Sequence, residues 1–314
     1  MIDVPQELKG RHLTRVNDWS KEELRSALDL ADALKAARRA GEEHRLLPGR
    51  TLAMIFHRQS LRTRVSFAAG MTQLGGTALD LPDDGIGFGV REPVRDVALA
   101  LSRYADAIMI RTTAQEHVDE LAEHATVPVI NGLSDQVHPC QALTDLMTIR
   151  EHFGRLSGVR LAYLGDGNNV CRSLMRGASK FGMRFIAATP PGYEPRAQAV
   201  EDTRRVAIQQ GGTVELTNDP HEAVDGAQVV YTDVWVSMGQ EAGRERRLRD
   251  LAGFAVDRQL VARAADDAVV MHCLPAHYGE EIAEDVVYGP RSLVWEQAEN
   301  RLHAQKALLA LVVR

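Results

Sequence analysis

Between Ser60 and Arg64 the sequence SLRTR sets two hydroxyls and two guanidiniums directly behind an apolar run, TLAMIF. If that run is a strand and Ser60 caps the following helix, the Leu61 backbone N–H joins Ser60, Arg62, Thr63 and Arg64 in an anion trap. Helix N-termini favour negative charge, and guanidinium forks match phosphate oxygens. An ordinary cap beside solvated arginines stays open as the plainer reading, because residues two apart do not share a helix face. Arg111, with Thr112, repeats the theme at the end of AIMIR. In HPCQ, Pro139 suits a first helical turn and leaves His138 just outside it. An imidazole there can donate to a carbonyl oxygen that gains charge in a transition state, while the Gln141 amide can bond an NH2 group. A structural histidine at a helix start is the alternative.

The second half of the chain carries a different set of groups. GDGNNV at 165–170 follows an apolar run but has Val170 where a dinucleotide turn needs its third glycine, so nucleotide binding is disfavoured. Asn168 and Asn169 offer amides suited to an amino-acid carboxylate or amine. In DVWVSMG, Asp233 can hold an ammonium group or merely cap a turn, with Ser237 and Met238 beside it. HCLPAH brings Cys273, Leu274 and Pro275 to another strand end, where the proline can fix an unusual peptide with carbonyls aimed at a ligand. Arg301 stands in ENRLHAQKALL, by default an exposed helix residue paired with nearby acids.

These groups need strands that end where helices begin. Apolar runs at Thr51–Phe56, Ala107–Arg111, Val127–Ile130, Arg160–Gly165, Phe185–Thr189, Val229–Tyr231 and Val269–His272 alternate with helical patterning, which is an α/β pattern. Ser20 and Glu23 form a capping box ahead of a stripe of Leu24, Leu28, Ala31 and Leu34, a helix expected to end near Gly41. A helix over about Cys140–His152 connects two series of strands, and Trp295–Val313 predicts a terminal helix with Leu302, Leu308, Leu309 and Val312 on its buried face. The expected boundaries are 1–139 plus 293–314 for one domain and 140–292 for the other. Open parallel sheets bind ligands at the carboxyl ends of strands, where most of these groups fall.

Composition removes several classes of function. The 314 residues hold 37 Lys and Arg against 43 Asp and Glu, a formal net charge of −6, so no global basic field attracts nucleic acid or anionic membrane. Aromatic residues at 5% are too few for a stacking surface for single strands. Three cysteines, Cys140, Cys171 and Cys273, form neither a disulfide framework nor a CxxC pair, and fit a reducing cytoplasm. The N-terminus lacks a signal-peptide core, and no run reaches the ~20 apolar residues of a membrane span. Neither a metal nor a cofactor is expected.

Taken in order, SLRTR, MIRT, HPCQ, GDGNNV, DVWVSMG, HCLPAH and ENRLHAQKALL resemble the aspartate/ornithine transcarbamylase family, most closely its ornithine branch, over nearly the whole chain. The resemblance implies two mainly parallel α/β domains with a cleft between them and a C-terminal helix returning to the first. It implies that Ser60, Leu61, Arg62, Thr63, Arg64 and Arg111 hold the phosphate of carbamoyl phosphate, with Thr63, Arg111 and His138 near its carbonyl oxygen. Gln141 and the Leu274 carbonyl would take its amide, and Arg301 would complete that half-site. Asn169, Asp233, Ser237 and Met238 would surround the α-amino and carboxylate groups of L-ornithine, with Cys273 beside the reacting nitrogen. Arg111, His138, Asp233 and Cys273 are the candidate catalytic groups. The products would be citrulline and phosphate, the setting arginine biosynthesis, and the assembly a homotrimer.

The sequence also departs from the family pattern. Leu61 replaces the Thr of STRTR, His57, Arg58 and Gln59 replace Glu-Lys-Pro, and Tyr278 replaces an Arg. Carbamoyl transfer to acetylornithine or putrescine is therefore an alternative, as is a non-catalytic paralogue that binds phosphate. Intact Asp233 and Ser237-Met238-Gly239 favour an amine with an α-carboxylate, which putrescine lacks.

Overall fold

The computed structural model describes residues 2–58, 60–82, 87–237 and 241–313. The chain divides into two compact units, residues 1–147 with 299–314, and residues 148–298.

In the first unit, β1 (Thr51–Phe56), β2 (Thr77–Pro82), β3 (Ala107–Arg111) and β4 (Val129–Leu133) form a parallel sheet in the order β2-β1-β3-β4. β1 and β3 lie inside the sheet and are nearly continuous apolar runs, as strands covered on both faces must be. Ile55, Ile108, Ile110, Val118 and Leu121 belong to the core of this unit. The helices are α1 (Lys21–Arg39), α2 (Leu61–Gln73), α3 (Val94–Tyr104), α4 (Gln115–His124) and α5 (Pro139–Phe153), whose residues from Thr148 onward belong to the second unit. The capping box at α1 forms as the sequence predicts. Ser20 Oγ accepts from Glu23 N–H at 3.1 Å, and Glu23 Oε2 accepts from Ser20 N–H at 2.6 Å. Just past α1, Gly41 adopts a φ of 72°, the left-handed conformation that glycine takes without strain.

The second unit is a five-stranded parallel sheet: β5 (Arg160–Leu164), β6 (Arg184–Ala188), β7 (Thr213–Thr217), β8 (Val229–Thr232) and β9 (Val269–His272), ordered β7-β6-β5-β8-β9. Its helices are α6 (Asn169–Lys180), α7 (Ala197–Gln209), α8 (Pro220–Val224), α9 (Arg244–Leu251), α10 (Arg258–Val261) and α11 (Glu284–Val287). Ala162, Leu164, Val230 and Val270 from the strands share a core with Val256, Ile282 and Val287.

The last helix, α12 (Val294–Val312), carries the chain back into the first unit. From Ala304 to Val313 every residue is buried, so this end has no polar face to spare. Lys306 donates to Gln73 Oε1 at 3.0 Å and lies 2.9 Å from His44 Nε2, while Lys35 of α1 donates to Asn300 Oδ1 at 2.6 Å. At Gly70 of α2 an added Cβ would lie 3.3 Å from Lys306 Cγ, so α12 runs close against α2. Of the expected face, Leu308, Leu309 and Val312 are fully buried and Leu302 partly.

Candidate functional site

Strand order reverses between β1 and β3 in the first unit and between β5 and β8 in the second. At such a switch point the loops leaving adjacent strands diverge and open a crevice at their carboxyl ends. The candidate residues gather at these two places.

In the first unit, Ser60 caps α2, its Oγ accepting from Thr63 N–H at 3.3 Å. Thr63 is completely buried, and its Oγ1 accepts from two guanidiniums, Arg301 Nη2 at 2.9 Å and Arg111 Nη1 at 3.4 Å. Arg301 also donates through Nη1 to Gln141 Oε1 at 2.6 Å, and Gln141 donates in turn to Asp145 Oδ1 at 2.8 Å. Residues from α2, β3, α5 and α12 thereby meet in one polar network. Gly132 of β4 makes room for it. An added Cβ there would come within 2.6 Å of Met109 Sδ and 3.5 Å of Thr63 Cγ2.

His138 is buried just ahead of Pro139 at the start of α5. Burial, and then the charges of Arg301, Arg111 and Arg62, hold its pKa well below the ordinary imidazole value. It is therefore a neutral ring within a positive field, fit to donate one hydrogen bond without adding a charge. Three guanidiniums near a buried neutral imidazole make a positive field suited to an anion.

Two expected members stand apart. Arg64 pairs with Asp80 Oδ2 at 2.8 Å and lies 4.6 Å over the Phe56 ring, on another face of α2 from Thr63. The Leu61 side chain is 74% exposed, so only its backbone faces the cap. His57 follows β1, its N–H donating to Arg111 O at 3.0 Å and its Nδ1 lying 3.2 Å from Thr112 Oγ1.

In the second unit, Asp233 follows β8 and is 5% exposed. Its Oδ2 accepts from Asn168 Nδ2 at 2.7 Å and its Oδ1 from the Cys273 thiol at 3.0 Å. Asn168 caps α6. Its Oδ1 accepts from Val170 N–H at 2.9 Å, Cys171 N–H at 3.0 Å and the Tyr163 hydroxyl at 3.1 Å. Asn169 is the first residue of that helix. Burial pushes the Tyr163 hydroxyl well above its usual pKa, and the Asp233 charge adds to the effect, so Tyr163 remains a donor. Ser237 lies four residues beyond Asp233, partly exposed; Met238 lies outside the described residues.

Cys273 follows β9, and Leu274 comes next with a φ of 57° ahead of a cis bond to Pro275. The Leu274 N–H donates to His272 Nδ1 at 2.8 Å, and His272 Nε2 lies 3.1 Å from the buried Glu281. Among the described residues, two side-chain groups have ligand-type atoms mutually within 4.8 Å, Asp233 with His272 and Cys273, and His277 with Glu280 and Glu281. Cys140 and Cys171 are buried thiols whose pKa values burial raises, Cys140 to about 12, so they stay protonated.

Sequence reasoning passed over two contributors, Asp145 and Arg247, and one pairing: Asn168 stands out as an amide at a strand end, but its bond to Asp233 spans 65 positions. Asp145 shares a face of α5 with Gln141 at the four-residue spacing. Arg247 joins Asp166 and the Trp235 carbonyl from a helix whose other arginines point outward, and nothing local distinguishes it.

One parallel α/β unit thus gathers arginines around Thr63, and the other a buried carboxylate among amides and a thiol. Comparison with known proteins gives the family. Residues 11–151 match the carbamoyl-P binding domain of aspartate/ornithine carbamoyltransferase, and residues 157–312 match its Asp/Orn binding domain. The chain belongs to the aspartate/ornithine carbamoyltransferase family. It is 52% identical over 303 residues to an ornithine carbamoyltransferase of Anoxybacillus flavithermus, covering 96% of each chain. It is 51% identical to the solved ornithine carbamoyltransferase of Pyrococcus furiosus, with a TM-score of 0.95 and 98% of each chain covered. The corresponding structure from Thermus thermophilus has a TM-score of 0.87 at 44% identity, covering 96% of this chain and 99% of that one. None of the described helices is long and apolar enough to cross a membrane.

Proposed function

We propose that this protein transfers the carbamoyl group of carbamoyl phosphate to the δ-amine of L-ornithine, releasing L-citrulline and phosphate. The observation that carries the reading is the network at Thr63, where Arg301 and Arg111 converge beside neutral His138. Near-full-length identity to ornithine carbamoyltransferases supports the same choice.

Carbamoyl phosphate binds the first unit. The α2 N-terminus, Ser60, Arg62, Thr63 and Arg111 take its phosphate, and Arg64 adds positive charge nearby. Thr63 already accepts from two guanidiniums, so it offers the ligand its hydroxyl proton. His138 and Arg111 donate to the carbamoyl oxygen. Gln141 Oε1, held by Arg301, accepts from the carbamoyl NH2.

L-ornithine binds the second unit, its α-ammonium at Asp233 and its carboxylate at Asn169 and Ser237, with Met238 alongside. An alkyl ammonium has a pKa of ~10.4, so attack requires its neutral form. Cys273 and Asp233 orient the amine and help remove its proton. The nitrogen lone pair then attacks the carbamoyl carbon, and the carbonyl oxygen takes up negative charge within the field of Arg111 and His138. Collapse of the tetrahedral adduct breaks the bond to phosphate, which leaves with the electron pair and can accept the proton from nitrogen. A homotrimer in the cytoplasm is part of the same proposal and rests on resemblance alone. Sedimentation of the purified protein tests the trimer. Product analysis with ornithine, acetylornithine and putrescine as rival amines tests the substrate, and preference for either of the others would replace ornithine in this reading.

A further inference from the structure

The helix α9 carries four arginines in RERRLR, and one of them turns inward. Arg244 and Arg246 have 45% and 80% of their side chains exposed, whereas Arg247 has 17%. Its guanidinium has two grips. Nη2 forms an ion pair with Asp166, in the loop after β5, and Nε donates to the Trp235 carbonyl at 2.7 Å, in the loop after β8. Its plane lies 4.9 Å over the Tyr193 ring, in the loop after β6. Tyr193 is fixed in turn, its hydroxyl donating to Asp250 Oδ2 at 2.8 Å and its carbonyl accepting from Gly167 N–H at 2.8 Å. An added Cβ at Gly167 would lie 2.4 Å from Pro195 N, so these loops are in close contact there.

Each grip lies two residues from a group in the half-site. Asp166 precedes Asn168 by two, and Trp235 stands two after Asp233 and two before Ser237. A partly desolvated ion pair is a costly way to stabilise a loop, whereas a planar fork with donors in fixed directions is a good way to set the distance between two loops. We propose that Arg247 is a positioning residue for the amino-acid half-site, holding the β5 and β8 loops at the separation that Asn168, Asp233 and Ser237 need to read the α-amino and carboxylate groups of the substrate.

This rests on the ornithine reading above, and the test separates the two. The full-length protein is compared with Arg247→Met, which keeps the length and packing of the side chain, and with Arg247→Lys, which keeps the charge but not the two-point fork. Steady-state kinetics vary ornithine and carbamoyl phosphate in turn, and thermal melts follow folding. Arg247→Met should raise the KM for ornithine about 10- to 100-fold, with the KM for carbamoyl phosphate changed by less than about twofold, and Arg247→Lys should recover only part of the loss. An unchanged ornithine KM in Arg247→Met overturns the proposal, as do equal rises in both KM values with a lowered Tm, the pattern of a merely structural residue. Full recovery by Lys overturns the two-point argument. A folded wild-type protein that carbamoylates no ornithine overturns the functional reading itself, and this proposal with it.

Discussion

Arg301 donates a 2.9 Å hydrogen bond to Thr63 across 238 positions of sequence, joining the last helix to the first turn of α2. The same guanidinium holds Gln141. The C-terminal helix therefore belongs to the polar network around Thr63 as well as to the core.

Arg301→Ala removes the donor to the buried Gln141 amide oxygen and leaves Thr63 only the longer bond from Arg111. A buried group that loses its partner costs about 1–3 kcal/mol, so the midpoint of denaturant unfolding should fall. Activity should fall further, with kcat/KM for carbamoyl phosphate down by about 100-fold or more. Arg301→Lys should recover little of it, because an ammonium cannot reach both partners in the geometry of a fork. Kinetics close to wild type in Arg301→Ala would remove the residue from the site.

Leu61 tests a departure from the family pattern. Its side chain is 74% exposed, so Leu61→Thr should change stability by less than about 0.5 kcal/mol. A hydroxyl in that first turn adds a donor for the anion. Calorimetry with carbamoyl phosphate should show tighter binding, and unchanged affinity would mean that the backbone N–H suffices.

Asp233→Asn keeps the size of the side chain and removes its charge. It should raise the KM for ornithine by about 100-fold while carbamoyl phosphate still binds with its original affinity, since a charged pairing of this kind is worth about 2–3 kcal/mol. A variant that binds both substrates as the wild type does would contradict the ammonium role.

His138 should stay neutral through the physiological range, because burial and three nearby guanidiniums lower its pKa. Histidine resonances of the ligand-free protein should show no titration of this ring near pH ~6.5. An inflection there would show that the positive field is not felt.

His303, on α12, gives a stability prediction. Burial, then the Lys306 charge, lowers its pKa to about 4. The unfolded chain therefore takes up this proton at higher pH than the folded one. Stability should be lost as pH falls from about 6.5 towards 4, by at most about 3 kcal/mol from this group. His303→Leu should flatten that part of the curve in urea unfolding at several pH values. A slope identical to that of the wild type would exclude the mechanism.

What the sequence made legible followed from local chemistry. Ser60, Pro139 and Ser20 each mark a helix start by residue type, and each helix begins where the sequence predicts. Strands β1, β3 and β5 are runs buried on both faces and stand out as such. β2 was missed because it is an edge strand, TALDLP, with an exposed pattern and a charged Asp80. β7 was missed for the same reason. The site divided along a similar line. Residues within one motif were readable, but the pairings of Arg301 with Thr63, Asn168 with Asp233 and Arg247 with Asp166 depend on strand order, which no local pattern encodes. Arg64 shows the converse, since motif membership placed it with the anion while the helix turn of two residues gives it to Asp80 and Phe56.

The most direct test of the central claim is the simultaneous measurement of phosphate and citrulline in one reaction of purified protein with carbamoyl phosphate and L-ornithine. The account predicts that both appear at one rate and in equal amounts, and that omitting ornithine stops both. Phosphate without citrulline, or neither product from folded protein, would contradict it.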